Sequence, residues 1–316
     1  MYRGLLLDNL NEPADTSFAK LVAMNASAVG TLWTGARDGG GTKHRRPIYG
    51  RCEILLDHPE YLIRVEGYDD TPAGWWAATR DALREIPDAV LIEDRIRLAC
   101  QNEPNLEHWQ NNPAGYGRLY AAVSNTSLPV LFACPSLGMD GWSQWLATAL
   151  EQAGHPRRGI VNLYGANVGR VGEFAGMFDE LYVGEVNSSP WVRAGARVEF
   201  IGEALRHFAR AAVKSVLIFI AGGRSNGAWD ERYIISQEES AGLADWNTND
   251  DGEVSGTMDE ATQTALIEME ARQNALLTQA LVAFRQGKFT GADGIDGIIV
   301  ALTGKPLEFE PTYPKA

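Results

Sequence analysis

Eight short apolar runs, each followed by a longer amphipathic or polar stretch, constrain the fold of this chain more than any single residue does. The runs are "GLLLDN" (4–9), "GTLWTG" (30–35), "YLIRVE" (61–66), "IRLACQ" (96–101), "PVLFAC" (129–134), "GIVNLY" (159–164), "ELYVGE" (180–185) and "SVLIFIA" (215–221). Most are almost continuously apolar, as parallel strands buried on both faces must be. The stretch "TPAGWWAATRDALREIP" reads as helix, with Thr71 as N-cap and Pro72 at the first helical position, where its missing N–H costs nothing. The stretches "GWSQWLATALEQAG" and "RVEFIGEALRHFARAAV" repeat the helical pattern, and "DEATQTALIEMEARQNALLTQALVAFRQG" supplies an eighth helix.

Parallel strands joined by helices form either a closed barrel or an open doubly wound sheet. Eight regular repeats, with no glycine-rich phosphate-binding fingerprint after the first strand, favour a single (β/α)8 TIM barrel. The length of 316 residues suits one such barrel without a separate accessory domain. The expected organisation is one domain over 1–316, with a polar loop at about 245–257 and an irregular C-terminal tail from about 289.

Composition narrows the partners. A net charge of −13 and a pI near 4.9 argue against nucleic acid and against an anionic membrane surface. With 45% hydrophobic residues and a mean hydropathy of −0.20, the chain can bury a large core. No apolar run approaches the ~20 residues of a membrane span. The opening "MYRGLLLDNLNEP" has too short an apolar core for a signal peptide and reads as a strand, so the cytoplasm is the default expectation. The cysteines Cys52, Cys100 and Cys134 lack CxxC spacing and read as free thiols. The stretch "NTNDDGEVSGTM" places Asn247, Asn249, Asp251, Gly252 and Val254 at calcium-loop spacing. It has Met258 where a bidentate Glu closes such a loop, and it reads as solvated turn. The five His show no metal-binding spacing. No metal and no cofactor are expected.

In a (β/α)8 barrel, chemistry sits at the C-terminal ends of the strands. There the runs deliver Asp8 and Asn9, Glu66, Asn102 and Glu103, Asn162 and Tyr164, and Glu185 with Asn187; Arg224, Asn226 and Trp229 follow the eighth. A Glu-Pro pair alone is an ordinary turn. Two glutamates at the ends of strands four and seven are a different matter, because retaining glycoside hydrolysis needs one protonated and one ionised carboxyl about 5–5.5 Å apart. A shared, partly desolvated mouth separates their pKa values into acid and nucleophile. Among nine Trp, Trp33, Trp191 and Trp229 are the candidates for stacking on sugar faces; the others fit helix-to-barrel packing.

The stretch "NEPN" (102–105) after strand four, with a Glu ending strand seven, resembles glycoside hydrolase clan A, whose members are retaining (β/α)8 glycosidases. The longer "NEPNLEHWQNNPAGYGRLYAAV" is nearest in motif to the β-xylosidase/α-L-iduronidase family of that clan, down to a Tyr-x-x-Leu-Tyr pattern at Tyr116, Leu119 and Tyr120. The resemblance implies Glu103 as acid/base and Glu185 as nucleophile. It implies Asn102 on the sugar 2-hydroxyl, Tyr164 bonded to the nucleophile, Trp229 as an aromatic floor, and a carbohydrate substrate; Asn162 at the end of strand six is a further substrate-binding candidate. Gln101 stands where the clan commonly has Trp, and Asn162 where it commonly has His. Those departures motivate the alternative of a catalytically weak or inactive barrel that binds glycan or serves a larger assembly. A Glu185 buried in an arginine pair would favour that alternative.

Overall fold

The computed structural model describes residues 1–7, 14–33, 46–86, 91, 94–106, 109–126, 128–188, 194–219, 234–244 and 246. Eight strands close into one parallel barrel in sequence order: β1 Tyr2–Leu6, β2 Ala28–Trp33, β3 Glu60–Val65, β4 Ile96–Cys100, β5 Val130–Ala133, β6 Arg158–Tyr164, β7 Glu180–Asn187 and β8 Ser215–Ile218. The ring closes where Tyr2 pairs with Ser215 and Leu5 with Ile218. All eight expected strands form. Around them lie α1 Ala14–Ala23, α2 Arg46–Leu55, α3 Pro72–Arg84, α4 Pro113–Ser124, α5 Trp142–Ala153, α6 Val171–Ala175, α7 Ala194–Arg210 and α8 Gln237–Ala244. The chain divides into two compact units, Met1–Val254 and Ser255–Ala316, and the eight strands belong to the first.

Local chemistry explains the helix ends. Thr71 caps α3 as expected, accepting from Gly74 N, with Pro72 at the first position. Asn112 does the same for α4 through Gly115 N at 2.9 Å. The long helix expected at 259–287 lies outside the described residues; after β8 these hold a short helix, α8. Ser236 and Glu239 start it as a capping box: Ser236 N donates to the Glu239 carboxylate at 2.8 Å, and Glu239 N donates to Ser236 Oγ at 3.1 Å. The guanidinium of Arg3, on β1, ends it by donating to the carbonyls of Leu243, Ala244 and Trp246. This helix packs on α1 and α7.

The core is apolar between two polar ends. At the N-terminal end, Arg97 bonds the hydroxyl of Tyr182 at 3.2 Å and pairs with Glu60 at 3.3 Å, while Arg158 and Tyr182 both donate to Glu180. The three cysteines are free and buried, as expected.

Tyr116 of the Tyr-x-x-Leu-Tyr pattern has a structural job. Its buried hydroxyl accepts from Ala133 N at 2.8 Å and lies 3.0 Å from the carbonyls of both Cys100 and Ala133, tying β4 to β5 below the Asn-Glu-Pro turn. Tyr116→Phe strands a buried N–H and a carbonyl. It is expected to cost about 1–3 kcal/mol in urea unfolding; an unchanged midpoint would remove this role.

Candidate active site

The site assembles at the C-terminal mouth from β3, β4, β6 and β7. The last two owe their geometry to a bulge. Arg158 pairs with Glu180, Ile160 with Tyr182, then the register slips, and Asn162 pairs with Glu185 and Tyr164 with Asn187. Without the slip, alternation would put Gly184 on the interior face and Glu185 on the helix side. The extra residue returns Glu185 to the interior, in line with Tyr182. Gly184 suits the bulge because a Cβ there would stand 2.8 Å from Asn162 Oδ1 and 2.8 Å from Ile160 Cδ1.

Glu185 is 6% exposed. One carboxylate oxygen takes the guanidinium of Arg64, and the other takes the hydroxyl of Tyr164. Burial and the carboxylate beside it push the Tyr164 hydroxyl well above its ordinary pKa, so it is a standing donor. Arg64, the penultimate residue of β3, is 1% exposed, and its Nη1 also donates to Asn102 Oδ1 at 2.8 Å. Asn162 Nδ2 approaches the same oxygen at 3.4 Å. Arginine only donates, so the oxygen of Asn102 must be the atom turned to Arg64. Its NH2 group then faces away from the guanidinium.

Glu103 sits on a strained turn. Gln101 and Glu103 have φ of 74° and 38°, in the left-handed region that non-glycine residues seldom occupy. Such backbone persists where the surroundings over-determine it. Burial, first, and the charge of Glu185, second, push the Glu103 carboxyl up to about 7. The Ser136 hydroxyl, Arg64 and the Asn162 amide act in the opposite direction.

The structure thus brings together Asn102, Glu103, Asn162, Tyr164 and Glu185. Trp33 ends β2 and is 8% exposed, with little ring surface left for stacking, and its carbonyl accepts from Glu66 N at 2.9 Å. Asn187 is wholly buried and ties β7 to Phe219 after β8 through its side-chain amide. Trp191, Arg224, Asn226 and Trp229, with Asp8, Asn9 and the Asn247–Met258 stretch, lie outside the described residues. Arg64 went unanticipated. The available signal was a lone cation inside "YLIRVE", a strand otherwise almost wholly apolar; a charge there demands a buried anion. Among the described residues, no three His, Cys, Asp or Glu cluster as a metal site, and no helix is long and apolar enough to cross a membrane.

No family model matches the chain, and no curated protein is similar to it. Solved structures are. A β-mannanase from Streptomyces thermolilacinus shares 15% identity over 77% of this chain and 90% of its own, with a TM-score of 0.50. The catalytic domain of a mannanase from Streptomyces sp. SirexAA-E shares 16% identity over 77% of this chain and 84% of its own, with a TM-score of 0.50. At such identities the likeness is one of fold, the closed parallel barrel that these glycosidases are built on.

Proposed function

We propose that this protein is a retaining glycoside hydrolase, with Glu103 as acid/base and Glu185 as nucleophile. One observation carries the reading: a carboxyl that burial holds near pKa 7 stands at the same mouth as a carboxylate fixed by a cation and a phenol. The first can keep a proton for the leaving oxygen, and the second can attack the anomeric carbon. Arg64 and Tyr164 aim the Glu185 carboxylate without taking its charge into solvent. The Asn102 amide, with its oxygen occupied by Arg64, offers its NH2 to a sugar hydroxyl. The clan A resemblance of "NEPN" and the barrel shared with mannanases agree with this reading. The nearer likeness to β-xylosidases and α-L-iduronidases rests on the sequence motif alone.

A second reading has a specific observation behind it. Glu185 is buried in an ion pair with Arg64, a geometry also suited to a barrel that binds glycan without turnover. A panel of aryl glycosides and polysaccharides separates the two, because a binder retains ligand and releases no product.

Glu103 gives the enzyme reading a pH signature. Its pKa is raised, so the proton needed for leaving-group departure is present below about 7 and lost above it. The value of kcat/KM is therefore expected to fall on a basic limb with an inflection near neutrality. A profile flat from about pH 6 to 9 would exclude Glu103 as the acid.

A further inference from the structure

The turn that carries Glu103 is held from outside its own strand. Asn105, two residues on, is 3% exposed and uses its side-chain amide as a two-point clamp. Its Nδ2 donates to the Ser136 carbonyl at 2.9 Å, and its Oδ1 accepts from Ser136 N at 2.6 Å. Ser136 lies just beyond β5, and its hydroxyl is one of the groups beside the Glu103 carboxyl. A second tie runs parallel: Trp145 Nε1, on α5, donates to the Trp109 carbonyl at 3.0 Å. Within the turn, Leu106 N bonds the Glu103 carbonyl at 2.9 Å. Two left-handed residues and a clamp buried from solvent make a turn with one geometry rather than several.

We propose that Asn105 is a positioning residue for the acid/base: by fixing the Ser136 backbone it sets both where the Glu103 carboxyl stands and which hydroxyl faces it. Asn105 does not itself reach the mouth, because its burial and its two bonds keep it against the β5 exit. The inference rests on the glycosidase reading for its catalytic consequence and on the clamp alone for its structural one.

The groups facing Glu103 are Glu185 on β7, Arg64 on β3, Tyr164 and Asn162 on β6, and Ser136 after β5. Two substitutions act on this set with opposite sign. Ser136→Ala keeps the backbone clamp and removes the hydroxyl that favours the carboxylate, so Glu103 binds its proton more tightly. Asn105→Ala keeps the hydroxyl and frees the turn, so the carboxyl gains water, and its pKa falls toward the ordinary carboxylate range.

The test uses the full chain with 13C-labelled glutamate, the Glu103 resonance being assigned by its loss in Glu103→Gln. The expected result is an upward shift of the Glu103 titration in Ser136→Ala and a downward shift in Asn105→Ala. Coincident titrations, or shifts of one sign in both, overturn the proposal. If Asn105→Ala does not fold, Asn105→Gln, which keeps an amide but displaces it from the Ser136 backbone, takes its place, and an unmoved Glu103 titration in it overturns the positioning role.

Kinetics add a readout that general loosening cannot imitate. In Asn105→Ala, kcat/KM is expected to fall about 10–100-fold on glycosides with poor leaving groups, and less than about 3-fold on dinitrophenyl glycosides, which need little acid help. Equal losses on both overturn the positioning role. If the wild-type chain turns over no glycoside, the function proposed above fails, while the titration still decides the clamp.

Discussion

Glu185→Gln is expected to abolish turnover of every glycoside the wild-type chain cleaves, whereas Glu103→Gln is expected to divide the reaction into a step that survives and a step that does not. On the proposed reading Glu185 supplies the oxygen that bonds the anomeric carbon in the glycosyl-enzyme, and an amide is too weak a nucleophile to replace it. On the same reading Glu103 would act twice, first giving a proton to the departing oxygen and then taking one from the incoming water. With dinitrophenolate as leaving group the first task is unnecessary. The Glu103 variant should then release a burst of phenolate, stall as the glycosyl-enzyme, and turn over again with added azide to give a glycosyl azide of retained configuration. General acid–base help is worth about 10²–10⁴-fold, so the stall is measurable in a stopped-flow trace. Equal and mild losses from the two substitutions would end the assignment.

The second large effect is on stability. Arg64→Met is expected to lower the free energy of unfolding by about 3–5 kcal/mol, because it leaves the buried Glu185 carboxylate without its cation. The side chains of the pair are 2% and 8% exposed, so water does little to compensate. Adding Glu185→Gln to Arg64→Met removes the stranded charge while keeping an acceptor for Tyr164. The double variant should therefore recover much of the loss and be more stable than Arg64→Met alone. Urea unfolding of the wild type, both singles and the double closes the cycle. An Arg64→Met variant within about 1 kcal/mol of wild type would mean that the carboxylate finds water or another partner, and the cradle described around Glu185 would lose its main support. A double variant more stable than the wild type would mark the pair as held for chemistry rather than for folding.

The barrel was legible because its strands are buried on both faces. Sequence runs such as "YLIRVE" and "SVLIFIA" carry that burial in their composition, and β3 and β8 fall where they were expected. Strand ends were less legible. β7 continues to Asn187 because the bulge at Gly184 lets it keep pairing with β6, and a bulge has no stronger signature than a glycine beside a strand-end carboxylate. Glu103 and Glu185 could be singled out as candidates because strand number and strand end locate a barrel's chemistry. The parts around them were harder. Asn105 holds a backbone unit rather than a side chain, so residue type at position 136 carries no trace of the contact. Tyr116 and Tyr120 entered through a motif and proved to be packing groups, both bonding backbone carbonyls from beneath the strands. Trp75, Trp109 and Trp145 likewise belong to the core.

Arg3 and the carbonyls it caps are about 240 residues apart in sequence, and β1 finds its β8 partner only slightly sooner. On a ribosome adding about 5–20 residues per second, the β8-facing edge of β1 stays open for roughly 10–50 s after it emerges. During that interval a short, Leu-rich strand presents unpaired backbone groups to whatever is nearby. The native partner of that edge does not exist until β8 has been made, so closure of this barrel waits on the last of its eight strands.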